Sequence, residues 1–218
     1  MTASIRQFRM ILLLLWLFPA GPLAAQTTSA MFGPANYSAV LVIHTGTGTM
    51  RMAVAKRGME WRQSMPMSHG AYELMLFDEK KIFVVMPQAH MCMSHVFPSA
   101  PPAGVLAEAE KHHAKVTDLG PATVQVGGKT YACEHRRVDY TDKSGQRYLM
   151  DVYTANALEN FPVKMTMAAR GKTTTVEYED IRLSPPPAAP LFIPPAHCIA
   201  TPSTMTLHGE KTIRVPHR

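Results

Sequence analysis

The stretch that decides the fold is SAVLVIHTGTGTMRMAVAK, residues 38–56. Ser38 to His44 is an apolar run. Gly46, Thr47 and Gly48 form a turn, and the chain returns from Thr49 to Lys56. Two β-rich runs joined by a glycine-containing connection predict a β-hairpin. Within the second arm Met50, Met52 and Val54 fall at i, i+2 and i+4. On a strand those positions point to one face.

The same pattern continues outward. Arg57-Gly58 turns before Met59 to Met65, and Ala71 to Phe77 pairs through Asp78-Glu79-Lys80 with Lys81 to Met86. His90 to Phe97 follows. The period then changes. After Pro101-Pro102, Ala103 to Lys115 carries acids early and lysines late, which predicts a helix. Ala122 to Val126, Thr130 to Tyr140, Gln146 to Tyr153, Pro162 to Ala169 and Thr173 to Leu183 resume the strand pattern. About ten strands with tight turns and one helix predict a mainly β fold: a curved antiparallel meander, an open half-barrel, wrapped around that helix. Residues 185–195 contain six prolines and exclude a central strand. Leu191-Phe192-Ile193 inside them is expected to dock on the sheet.

At the N-terminus Arg6 and Arg9 precede the unbroken apolar run Met10 to Phe18. Pro19, Gly21 and Pro22 break it before Ala24-Ala25. This is the order of a secretory signal peptide over residues 1–25, with a soluble exported product. Nine apolar residues are too few to span a bilayer, which takes about 20. Residues 26–37 read as a lead-in, 38–198 as the domain and 199–218 as a polar, basic tail. The 218-residue chain carries 22 Lys+Arg against 16 Asp+Glu, or 20 against 16 without Arg6 and Arg9. That diffuse excess has no basic stripe and argues against nucleic acid. Asn36-Tyr37-Ser38 fits a glycosylation sequon, of consequence only in a eukaryotic secretory host.

No G-x-S-x-G, H-E-x-x-H or Walker A pattern occurs, so an enzyme is not expected. Methionine is the informative residue, with 16 in the chain. Met50/Met52, Met65/Met67, Met91/Met93 and Met165/Met167 form four Met-x-Met doublets. Met is an ordinary gap filler of cores, and it also lines adaptable apolar surfaces. The expected ligand-lining set is Met50, Met52, Val54, Met91, Met93, Met165 and Met167. The alternative is copper, held by Met65, Met67, His90, Met91, Met93 and His95, because thioether and imidazole are Cu(I)-type donors. Spread along strands, the methionines favour a lining with no cofactor over a point site. A third possibility is an interaction module whose sheet is filled and whose rim is functional. Export sets an oxidising context, so Cys92, Cys133 and Cys198 predict one disulfide and one free thiol. Cys133–Cys198 is the expected pair, and Cys92–Cys133 its rival.

The ordered pieces Met50-Arg51-Met52, Leu76 to Met86, Val85-Met86-Pro87, Val126-Gly127-Gly128 leading to Cys133, Phe161 to Met165, Val176 to Ile181 and Leu191 to Pro195 together resemble the bacterial LolA/LolB-like lipoprotein-carrier superfamily, in particular its short periplasmic members. The resemblance covers roughly Ser38 to His197. It implies an open half-barrel in the periplasm whose concave face, capped by helix, shelters a lipid or lipoprotein acyl chain, with an envelope protein as possible partner. The chain departs from the carriers in reaching its first strand without an N-terminal helix, and in having one helix where they have several.

Overall fold

A computed structural model describes residues 33–66, 70–96, 114–141, 145–169 and 171–200. The strands are β1 (Asn36–Thr45), β2 (Gly48–Arg57), β3 (Glu60–Ser64), β4 (Tyr72–Leu76), β5 (Lys81–Met86), β6 (Met91–Val96), β7 (Lys115–Val126), β8 (Lys129–Thr141), β9 (Arg147–Ala155), β10 (Phe161–Ala169), β11 (Lys172–Arg182) and β12 (Ile199–Ala200). They form one open sheet in the order β12-β6-β5-β4-β3-β2-β1-β11-β10-β9-β8-β7. Every pairing is antiparallel except β12 on β6. The predicted meander is therefore present as two hairpin runs, β1 to β6 and β7 to β11. They are joined where β1 pairs with β11, in a register that sets Ile43 opposite Val176. β6 and β7 follow each other in the chain but lie toward opposite margins of the sheet.

Three sequence expectations need correction or placement. The helix Ala103 to Lys115 falls almost wholly outside the described residues, and its last residue instead opens β7. β7 is 12 residues long where only Ala122 to Val126 was expected, because it is an edge strand with β8 as its one neighbour, a setting that tolerates Pro121, and a register shift between Asp118 and Gly120 interrupts it. Ile199–Ala200, assigned by sequence to the tail, is a strand. The N-terminal segment 1–25 lies outside the described residues. Among those described, no helix is long and apolar enough to cross a membrane.

The sheet carries different cores on its two faces. On one, Tyr37, Ala39, Leu41 and Ile43 of β1 pack with Met52, Val54, Trp61, Phe161 and Tyr178. The aromatic rings meet edge to face, Tyr37–Phe161 at 4.8 Å and Phe161–Tyr178 at 5.0 Å, the arrangement their quadrupoles favour. Gly33 closes this corner. A Cβ there would stand 2.6 Å from the Phe161 ring. On the opposite face Leu74, Leu76, Phe83, Val85 and Cys92 form a second cluster, covered by Phe192.

Phe192 belongs to a strap, residues 184–200, that leaves β11 and recrosses the sheet. It is 3% exposed, and its flanking residues Leu191 and Ile193 are 40% and 65% exposed, so one residue of the expected triplet docks. That burial contributes about 2–3 kcal/mol. Arg62 donates to the Leu191 carbonyl at 2.9 Å and lies over the Tyr72 ring. Cys198 then joins Cys92 in a disulfide. The expected Cys133–Cys198 pair is thus wrong, as is the assignment of Cys92 as the free thiol. Cys133 is a buried free cysteine in the Tyr37 cluster.

Curvature follows from contacts between strands that are not neighbours. Val124 and Tyr131 of the β7–β8 hairpin pack on the Tyr37 cluster, and its turn reaches β11, four positions away in the sheet. Gly127 sits there at φ +56°, with Glu179 so close that a Cβ would meet it at 2.9 Å.

Candidate functional site

The register puts all seven predicted lining residues on one face, that of Tyr37, Leu41 and Ile43. Directly opposed residues in an antiparallel ladder project to the same side. Ile43 opposes Met50, Leu41 opposes Met52 and Ala39 opposes Val54. From Val54 the row runs through Gln63, Glu73 and Val84 to Met93. Met91 opposes Met86 one step further along β6. In the other direction Ile43 opposes Val176, Val176 opposes Met165, and Met165 opposes Val152. Met167 opposes Met150, which opposes Val138.

The face is nevertheless not one continuous lining. Its centre is filled: Met52 and Val54 are buried among the rings of Tyr37, Trp61, Phe161 and Tyr178. Two patches flank that centre. On β5 and β6, Met86 and Met93 are half-buried and Met91 is 42% exposed. On β9 and β10, Met150, Met165 and Met167 are half-buried, with Met165 bridging the Tyr37 cluster and the pair Val138 and Val152. Met50 is half-buried beside the centre.

The copper set is less concentrated. Met67 lies outside the described residues. His90 occupies a left-handed position (φ 49°) after the 3-10 turn Pro87–Ala89, ahead of β6. Met91, Met93 and His95 share the Tyr37 face. Met65 follows β3, three strand spacings from β6, or roughly 14 Å along the sheet. What the fold gathers from that set is the group on β6, with Met86 added from β5.

Sequence reasoning missed the polar groups of this face. Lys56 continues the alternation of Met50, Met52 and Val54. It is buried, its Nζ donates to the Pro34 carbonyl at 3.1 Å, and burial lowers its pKa. Glu73 is 9% exposed and accepts from the Gln63 amide at 2.6 Å. Burial raises its pKa, and the Gln63 hydrogen bond partly opposes that shift. The Tyr37 hydroxyl is buried without a hydrogen-bond partner, and burial pushes its pKa well up. Lys56 was visible in the i+2 spacing. Glu73 was not, since Leu74 and Leu76 beside it look more like core, and they belong to the opposite face.

The side of β8 to β11 opposite these methionines is built for water. Asp151 accepts from Arg137 at 2.8 Å and contacts His135 at 3.0 Å. The Arg137 bond first, and the His135 bond after it, hold its carboxyl below the ordinary range. Glu177 pairs with Lys164 at 2.7 Å. The chain thus forms an open antiparallel sheet whose methionines share one face, with ion pairs on the opposite side of β8 to β11.

Solved structures are similar to it. MucB matches with a TM-score of 0.41 at 15% identity, over 82% of this chain, and this chain spans 66% of the MucB length. A DUF1329 family protein from Desulfovibrio piger gives 0.30 at 11% identity, covering 72% of this chain and 89% of that one. A chain described as an outer membrane lipoprotein-sorting protein domain, from Vibrio parahaemolyticus, gives 0.28 at 8% identity, with 72% and 89% covered. No protein-family model matches the sequence, and no curated protein matches it.

Proposed function

We propose that the protein is an exported envelope binding protein. It shelters an apolar, lipid-like ligand, such as the acyl chain of a lipid or lipoprotein, against the methionines of its concave face, and it catalyses no reaction. The observation that carries this reading is the alignment of Met50, Met52, Val54, Met91, Met93, Met165 and Met167 on one side of the sheet. Those at the flanks stay half-open. An unbranched thioether adapts to a flexible chain at little cost, which a branched aliphatic wall does not.

Binding of a fluorescent fatty acid tests it. Met91→Leu/Met93→Leu conserves volume, costs less than ~1.5 kcal/mol per site and leaves affinity within a few-fold. Met165→Asp/Met167→Asp places two charges on the lining and abolishes binding while circular dichroism stays native. Unchanged affinity in the Asp variant overturns the reading. So does tight Cu(I) binding by the wild type that is lost in the Leu variant, because Leu removes the donor atom but not the apolar surface.

A further inference from the structure

Glu73 is an acid where the sheet by itself has no use for one. Within β1 to β6 it is the one carboxylate on the Tyr37 face, since the other acid of those strands, Glu60, opposes Leu76 on the strap's side. In its row Glu73 stands between Gln63 and Val84, and Val84 opposes Met93. Met86 and Met91 form the next pair along the same face. The acid therefore lies at the border between the filled centre and the methionine patch of β5 and β6.

Its surroundings do not neutralise it. Oε2 accepts from the Gln63 amide at 2.6 Å, and Trp61 orients that amide by donating from Nε1 to the Gln63 oxygen at 3.4 Å. A carboxylate has room for about four such bonds, and among the described residues Glu73 receives only this one. The Tyr37 hydroxyl is the one side-chain polar atom there that is both enclosed and unbonded, so Oε1 of Glu73 still meets the surface. Two groups of β1 to β6 on this face can carry positive charge, Lys56 and His95. Each stands two strands across and two residues along from Glu73, roughly 12 Å between Cα atoms. The Lys56 Nζ is committed to the Pro34 carbonyl. Among the described residues no cation pairs with Glu73, and no other charge shifts its acidity. A buried carboxylate without a counter-charge is costly. Glutamine at this position would keep the bond to Gln63 without the charge. The acid is better explained by something it binds.

We propose that Glu73 is the polar anchor of the ligand site and selects an amphiphile whose head is a protonated amine. The ammonium bonds to Oε1 and supplies the missing charge, and the apolar chain lies over Met86, Met91 and Met93. This rests on the ligand reading above and narrows it to one chemical class of head group.

Displacement of the neutral apolar dye N-phenyl-1-naphthylamine at pH 7 tests it, with decylamine, decanol and decanoate as competitors of equal chain length. In wild type, decylamine displaces the dye at about tenfold lower concentration than decanol, and decanoate is the weakest, because a charge-assisted bond replaces a neutral one. Glu73→Gln brings the amine to within about twofold of the alcohol, since the amide keeps the shape and loses the charge. Glu79→Gln, which removes an acid on the exposed β4–β5 turn, leaves the amine preference as in wild type. The proposal alone is overturned if decanol displaces the dye and decylamine has no advantage, if decanoate competes best, or if Glu73→Gln keeps the amine preference. If none of the three competes and the dye itself does not bind, the ligand reading falls and this proposal with it.

Discussion

Breaking the Cys92–Cys198 disulfide by Cys198→Ser perturbs the fold at one defined place. The bond spans 106 residues and encloses most of the sheet, from β6 through β11 to the strap. In the chain-entropy treatment a loop of that length restricts the unfolded state by roughly 4.8 kcal/mol at 25 °C. The folded state partly offsets the loss. Once untied, the strap is held by Phe192, the Arg62 bond to Leu191 and the two-residue β12 ladder. Phe192 burial, about 2–3 kcal/mol, is comparable with the cost of ordering a few residues, so the strap frays and regains entropy. The expected net destabilisation is about 3–5 kcal/mol. Urea unfolding followed by Trp61 fluorescence measures it, since Trp61 is 4% exposed in the Tyr37 cluster and reports on the core, not the strap. Reduced wild type should match Cys198→Ser, and Cys133→Ala should fall well short of either. A loss under ~1 kcal/mol in Cys198→Ser refutes the reasoning, and so does a full-sized loss in Cys133→Ala, which would return the crosslink to Cys133.

Two further perturbations probe the Tyr37 face. Tyr37→Phe removes a buried hydroxyl that has no partner, so the variant should be at least as stable as wild type, by up to about 1–3 kcal/mol. Tyr37→Ala should lose about 3–5 kcal/mol by leaving a cavity among Trp61, Phe161 and Tyr178, and a Phe variant that loses as much as Ala contradicts the unpaired hydroxyl. Burial raises the Glu73 pKa above its ordinary value of 4.5, so folding favours the protonated acid. Stability from this group is full below the unfolded pKa and declines as pH rises toward the folded one. Glu73→Gln should therefore gain on wild type between pH 4 and pH 7 in parallel denaturation curves. A gain that shrinks over that range contradicts the burial of the carboxylate.

Much of this architecture was legible in the sequence because strand alternation is local. The spacing in TMRMAVAK placed Met50, Met52 and Val54 on one side before any partner strand was known, and the prolines after Ser184 ruled out a central strand. Alternation says which residues share a side, but not which side is covered or by what. In AYELMLF both registers look plausible. Only the strap, arriving from more than 100 residues away with Phe192, decides that Leu74 and Leu76 face it and that Glu73 faces the other side. The pairing of β1 with β11 is equally non-local, and it brings Met165 into line with Met50 through Val176 and Ile43. The disulfide was out of reach for the same reason. Three cysteines allow three pairings, and a bond requires Cα atoms within about 4.4–6.8 Å. Tertiary structure sets Cys92 and Cys198 4.5 Å apart and buries Cys133 in the Tyr37 cluster. The sequence by itself determined the strands, their turns and the common side of the methionines, through steric preferences a few residues in range. The tertiary structure alone decided the curvature, the filled centre between two methionine patches and the cysteine pair, because each depends on which distant segments the closed chain brings into contact.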